Sequence, residues 1–182
     1  MRALYSSGNI VIDPYKFIDE YTTSELDRIS FSWNGKSGGE LEDNNYGFRS
    51  EVIKTILANK SSPSSELIRD LLLAEAYFSK EAWGATEALG PLGVLLLNQS
   101  REKHIDSFFE AKEQSFDTES ALTCYEVSAD AITDIISSLE SRLPNSRPEE
   151  NIEYYLGYFS DYLPKETITK TQNESPWWKL WK

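Results

Sequence analysis

Residues 121–143 read ALTCYEVSADAITDIISSLESRL, and their spacing decides the fold class. Leu122, Tyr125, Ala129, Ile132, Ile136, Leu139 and Leu143 step by 3, 4, 3, 4, 3 and 4. Alternating threes and fours form the packing stripe of a helix in a bundle or short coiled coil. With Asp117 or Thr118 as its N-cap, the stretch predicts one long helix ending before Pro144.

The same period extends to both sides. Ser64 or Ser65 opens a helix carrying Leu67, Ile68, Leu71, Leu72, Ala74, Tyr77, Phe78 and Trp83, closed near Gly84 or Gly90. Pro91 suits the first turn of a helix whose start, Leu92 to Leu97, is apolar all round and therefore buried. It continues through Ile105, Phe108 and Phe109. After the loop 144–148 a last helix turns Ile152, Tyr155, Leu156, Phe159 and Leu163 inward and stops at Pro164.

Short connections between long helices imply antiparallel neighbours. The expected fold is mainly α, an antiparallel bundle or array of about four to six helices.

Residues 1–60 read as a mixed, partly irregular part of the same domain. Asn9 to Ile12 suits a short strand, and Asp13-Pro14 an N-cap with proline at the first helical position, opening a helix to about Tyr21. A helix capped by Thr23 or Ser24 competes with a strand over Ile29, Phe31 and Trp33, and the residues leave both open. Residues 36–45, KSGGELEDNN, form a loop by composition, and Phe48, Val52, Ile53, Ile56 and Leu57 restore a helical period. The expected organisation is one globular domain over 1–163, with the bundle at 64–163 and an extended tail at 164–182.

The chain of 182 residues carries a formal net charge of -12. Residues 102–161 hold fourteen Asp and Glu against four Lys and Arg, whereas 164–182 hold four lysines against two glutamates. Such a surface repels nucleic acid and anionic lipid and attracts a basic protein. Neither a leader-like run in MRALYSSGNIVIDPYKF nor an apolar span of membrane length is present, so a soluble, cytoplasmic protein is expected.

Familiar catalytic and metal chemistry lacks its residues. Serine or cysteine hydrolysis would have to run through His104, the one histidine, and no Gly-x-Ser-x-Gly elbow exists. His104 sits two residues from Glu102 and from Asp106, the wrong spacing for a di-iron helix pair, and is expected at the surface or at a cap. Gly35-Lys36-Ser37 resembles a phosphate loop in three residues, but Ser30 stands where the first glycine belongs and Gly38-Gly39 where a helix should start. Cys124, the one cysteine, is expected as a buried thiol on a helix. The expectation is a protein without cofactor or metal, and not an enzyme.

Binding surfaces are better represented. At about 100° per residue, Glu102, Asp106, Glu110, Glu113 and Asp117 share one stripe beside the apolar face of their helix. Glu126, Asp130 and Asp134 form a second stripe at four-residue spacing. Like charges so spaced repel by roughly 0.2–0.5 kcal/mol per pair, which an ordinary solvated face would avoid by interspersed lysines. Tyr154, Tyr158 and Tyr162 repeat every four residues on the last helix, and tyrosine suits interfaces because a rigid ring carries a polar tip.

In being small, acidic and helical, the chain resembles the bacterial immunity proteins that neutralise nuclease or other basic toxins. The resemblance is one of composition, and implies inhibition of a toxin by direct binding. A helical enzyme or small-ligand protein with a cleft between the N-terminal part and the bundle is the alternative, and an adaptor or secretion chaperone a third. The terminal SPWWKLWK is too short to anchor in a membrane; its Trp177, Trp178 and Trp181 are expected to dock on the chain's own body or, forming a homodimer, on a second copy.

Overall fold

A computed structural model describes residues 13–58, 63–147 and 150–163. The expected strand at Asn9–Ile12 and the terminal tryptophans lie outside them. Among the described residues the fold is an array of eight α-helices with no strand: α1 (Pro14–Glu20), α2 (Tyr46–Leu57), α3 (Ser65–Ala82), α4 (Leu89–Ser100), α5 (Ile105–Lys112), α6 (Phe116–Ala121), α7 (Ala129–Arg142) and α8 (Ile152–Ser160).

Local chemistry sets several of these ends. Asp13 Oδ1 accepts the Tyr15 amide at 3.0 Å with Pro14 following, as the sequence predicts. Ser64 caps α3 through the Leu67 amide at 3.2 Å, and Ser128 caps α7 through that of Ala131. The cap of α6 is Ser115, reciprocated by Thr118, and not Asp117 or Thr118 as expected.

The apolar faces merge into one cluster running from Phe17 and Ile18 through α2, α3 and α4 to Tyr155 and Phe159. α3 lies at the centre, against α4 and α5, while α7 packs on α8 and α1 on α2.

Two long helices foreseen in the sequence are each broken. Arg101 takes φ 55°, its guanidinium donates to the Asn98 carbonyl, and a short turn over Arg101–His104 leads into α5. The second break falls in the stretch with the most regular spacing. Lys112 Nζ reaches across to the carbonyls of Glu119 (2.7 Å) and Leu122 (3.1 Å), capping the end of α6, and Tyr158 Oη donates to Leu122 O at 3.0 Å. With these carbonyls taken by side chains, helix does not resume until Ala129.

Leu122 stays buried, but Tyr125, expected on the packing stripe, lies in the intervening loop and is 84% exposed. Cys124 is buried as expected, in that loop rather than on a helix. Trp83, expected inward, ends α3 in a left-handed conformation and is largely exposed. Its ring covers Gly38, where a Cβ would come within 3.0 Å.

The N-terminal part resolves the open choice at Ile29–Trp33. Thr23–Arg28 is a 3-10 helix, Ile29 is buried in the turn after it, and Trp33 makes an isolated antiparallel bridge to Asp43. A fully buried Arg49 holds this region to α3. Its Nε meets Glu75 and its Nη2 meets Asp43, each at 2.7 Å, while Nη1 donates to Ile29 O at 3.4 Å. The guanidinium also lies within 5.8 Å of the ring centroids of Tyr46 and Phe78.

Candidate functional site

The predicted acids divide between those turned to internal partners and those left to solvent. Glu102 pairs with Arg142 of α7 at 3.5 Å, Asp106 accepts the Tyr155 hydroxyl of α8 at 3.0 Å, and Glu110 accepts that of Tyr77 on α3 in a short hydrogen bond. That bond lifts the Tyr77 hydroxyl to about 12, and burial followed by the Asp106 contact does the same for Tyr155. The first part of the stripe therefore ties the Arg101–His104 turn to α7, and α5 to α3 and α8. Glu113 and Asp117 continue it, and Glu119, which was not part of the predicted stripe, joins them; none of the three has a side-chain hydrogen bond or ion pair to any described residue.

The second stripe is a separate surface. Asp134 pairs with Arg101 at 3.1 Å, while Glu126 lines a shallow groove beside α2 and α4. Asp130 stands in the first turn of α7, a favourable place for a carboxylate at a helix N-terminus.

The three tyrosines of α8 divide in the same way. Tyr158 is half-buried and occupied: besides donating to Leu122 it receives Cys124 Sγ at 3.8 Å, and its ring lies 5.1 Å from Lys112 Nζ. Burial drives its hydroxyl pKa far above the ordinary value and that of the Cys124 thiol up to about 11. Tyr158 thus serves the fold. Tyr154 is half exposed, rests on Phe109 at a centroid distance of 5.3 Å, and has its hydroxyl pKa raised first by burial and then by the fields of Glu113 and Glu119. Tyr162 stands edge-on to the exposed Tyr125 at 5.1 Å.

Acids without internal hydrogen bonds or ion pairs and exposed aromatic rings accordingly recur along the end of α5, α6, the 122–128 loop and α8, here called the α5–α6–α8 face. Glu113 and Glu119 act on the Tyr154 hydroxyl through their fields, Asp117 follows the 80% exposed Phe116, and Tyr125 packs against Tyr162. Sequence reasoning missed Glu119, Phe116 and Tyr125.

His104 takes the second of its two expected places, the N-cap position of α5, without a capping hydrogen bond from its side chain, and it is buried rather than at the surface. It is 8% exposed, its Nε2 is 3.2 Å from Ser65 Oγ, and burial holds its pKa below the ordinary value. Among the described residues no group of three or more His, Cys, Asp or Glu is arranged to hold a metal ion. A hollow between the 26–31 segment and α3, lined by Leu26, Phe31, Leu73 and Tyr77, measures about 160 Å³. Ligand sites usually reach about 300–1,000 Å³. No helix of the described residues is long and apolar enough to cross a membrane. Comparisons with protein-family models, with curated proteins and with solved structures each returned no match.

Proposed function

We propose that this chain is a binding protein for a basic protein partner, acting as an inhibitor of the immunity-protein kind that neutralises a toxin by direct contact. The observation that carries the reading is the α5–α6–α8 face. Its acids make no internal hydrogen bond or ion pair through their side chains, and exposed tyrosines and a phenylalanine accompany them. Charge of one sign steers an oppositely charged partner and raises the association rate, while aromatic side chains bury area at low entropic cost and slow release. The overall charge of -12 extends the same attraction beyond the contact.

The experiment is co-expression with the product of the adjacent gene, followed by purification through a tag on this chain. The expected result is a stoichiometric complex that persists in Tyr158→Phe and is lost in the combined variant Glu113→Lys, Asp117→Lys, Glu119→Lys. A chain that purifies alone, or a complex indifferent to the three reversals, contradicts the proposal.

A further inference from the structure

The groove beside α2 and α4 has an apolar floor and an acidic end. Ile56 and Leu57 form one wall and Val94 and Leu95 the other, over a volume of about 250 Å³. Leu57, Val94 and Leu95 all remain partly open to solvent. Asn98 and Glu126 close one end, and Asn98 Oδ1 accepts the Ser128 amide at 2.9 Å, which brings the start of α7 and Asp130 close by.

We propose that the C-terminal segment of the same chain, Trp177–Trp181, seats in this groove. Three independent observations select it. The first is where the described chain ends: Tyr162 touches Tyr125, the immediate neighbour of Glu126, so the tail departs beside the acidic end of the groove. The second is reach. The thirteen residues from 164 to 176 extend up to about 40 Å at about 3.3 Å each, beyond the roughly 30 Å breadth of a small domain.

The third is chemistry. Wound at about 100° per residue, Trp177, Trp178, Leu180 and Trp181 occupy an arc of about 160°, with Lys179 and Lys182 on the opposite side. An apolar arc in an apolar groove is the helix-in-groove mode of recognition, and the lysines stay outward toward Glu126 and Asp130. Tethering supplies an effective concentration near the millimolar range, so even modest intrinsic affinity fills the site. The inference does not rest on the toxin reading: the groove adjoins the α5–α6–α8 face at Tyr125 and Glu126, but none of Glu113, Phe116, Asp117, Glu119 or Tyr154 lines it.

The test uses the full chain with Trp33→Phe and Trp83→Phe, which leaves the three tail tryptophans as its only indole emitters. Their emission is expected to be blue-shifted and shielded from acrylamide, independently of protein concentration. Adding Leu95→Glu should shift the emission to the red and increase quenching several-fold. Glu126→Lys, at an exposed position that leaves the core intact, should produce a smaller change of the same sign. Circular dichroism is compared throughout, to separate release of the tail from unfolding. Tail tryptophans quenched like a free peptide in the unaltered groove would overturn the proposal. So would shielding that survives both groove substitutions, and shielding lost on dilution, which would place the segment on a second copy.

Discussion

Arg49 in the N-terminal part and Lys112 in the C-terminal part are both buried cations, and the chain satisfies them in opposite ways. Arg49 spreads a planar fork over two carboxylates and a carbonyl between two aromatic rings, so charge meets charge. Lys112 makes its direct contacts to neutral groups, two backbone carbonyls and the face of Tyr158; burial lowers its pKa, and Glu119 and Glu113 oppose that only through their fields. The arginine, on α2, cross-links the irregular segments that carry Ile29 and Asp43 to Glu75 on α3. The lysine is a helix cap supplied from another helix. One resists removal because it would strand two acids; the other can be replaced at the cost of some unsatisfied dipoles.

The largest expected effect follows from that contrast. Arg49→Ala leaves Asp43 and Glu75, whose side chains are 0% and 3% exposed, buried without a counter-charge. A loss of about 3–5 kcal/mol in denaturant unfolding is expected, as when one partner of a buried pair is removed. The triple variant Arg49→Met, Asp43→Asn, Glu75→Gln should lose much less, because no charge is stranded. If the single and triple variants were equally damaged, the network would matter for its shape and not its charge.

Lys112→Met comes next, with an expected loss of about 1–3 kcal/mol, since Glu119 O loses its donor while Leu122 O keeps Tyr158. Gly93→Ala probes the same junction from α4. A Cβ there would stand 2.6 Å from Leu122 Cδ2, and overpacking of this kind costs about 1–3 kcal/mol. Ser115→Ala should cost about 1 kcal/mol by removing the cap of α6.

The smallest effect is a slope with pH. Burial lowers the folded pKa of His104, so below about 6.5 the unfolded chain binds a proton that the folded chain resists. The stability His104 contributes is present above that pH and declines as pH falls beneath it. Unfolding free energies measured between about pH 5 and 7 should rise with pH, and His104→Gln should flatten the rise. An unchanged slope would mean that His104 takes its proton freely in the folded state.

What the sequence discloses and what it hides separate along the same line. The signals for α1 and α3 are local, in Asp13-Pro14 and in Ser64, and both are seen in the structure. The break at 122–128 is not local. The seam from Leu122 to Leu143 reads as continuous helix because the interruption comes from Lys112 and Tyr158, which lie outside it. The candidate site behaves alike. The spacing of the acids was legible, but their division was not, because Glu110, Glu102 and Asp106 find Tyr77, Arg142 and Tyr155 at separations of 33, 40 and 49 residues. Burial of His104 was hidden for the same reason, since it follows from contact with Ser65 on another helix.

The proposal that the α5–α6–α8 face captures a basic protein is tested most directly by its association kinetics. The co-purified partner is mixed with the native chain and with the Glu113→Lys, Asp117→Lys, Glu119→Lys variant over a range of ionic strength. The account predicts that the native chain associates fast at low salt and slows steeply as salt rises, while the variant starts slow and varies little. Equal rates for the two proteins with equal dependence on salt would contradict it.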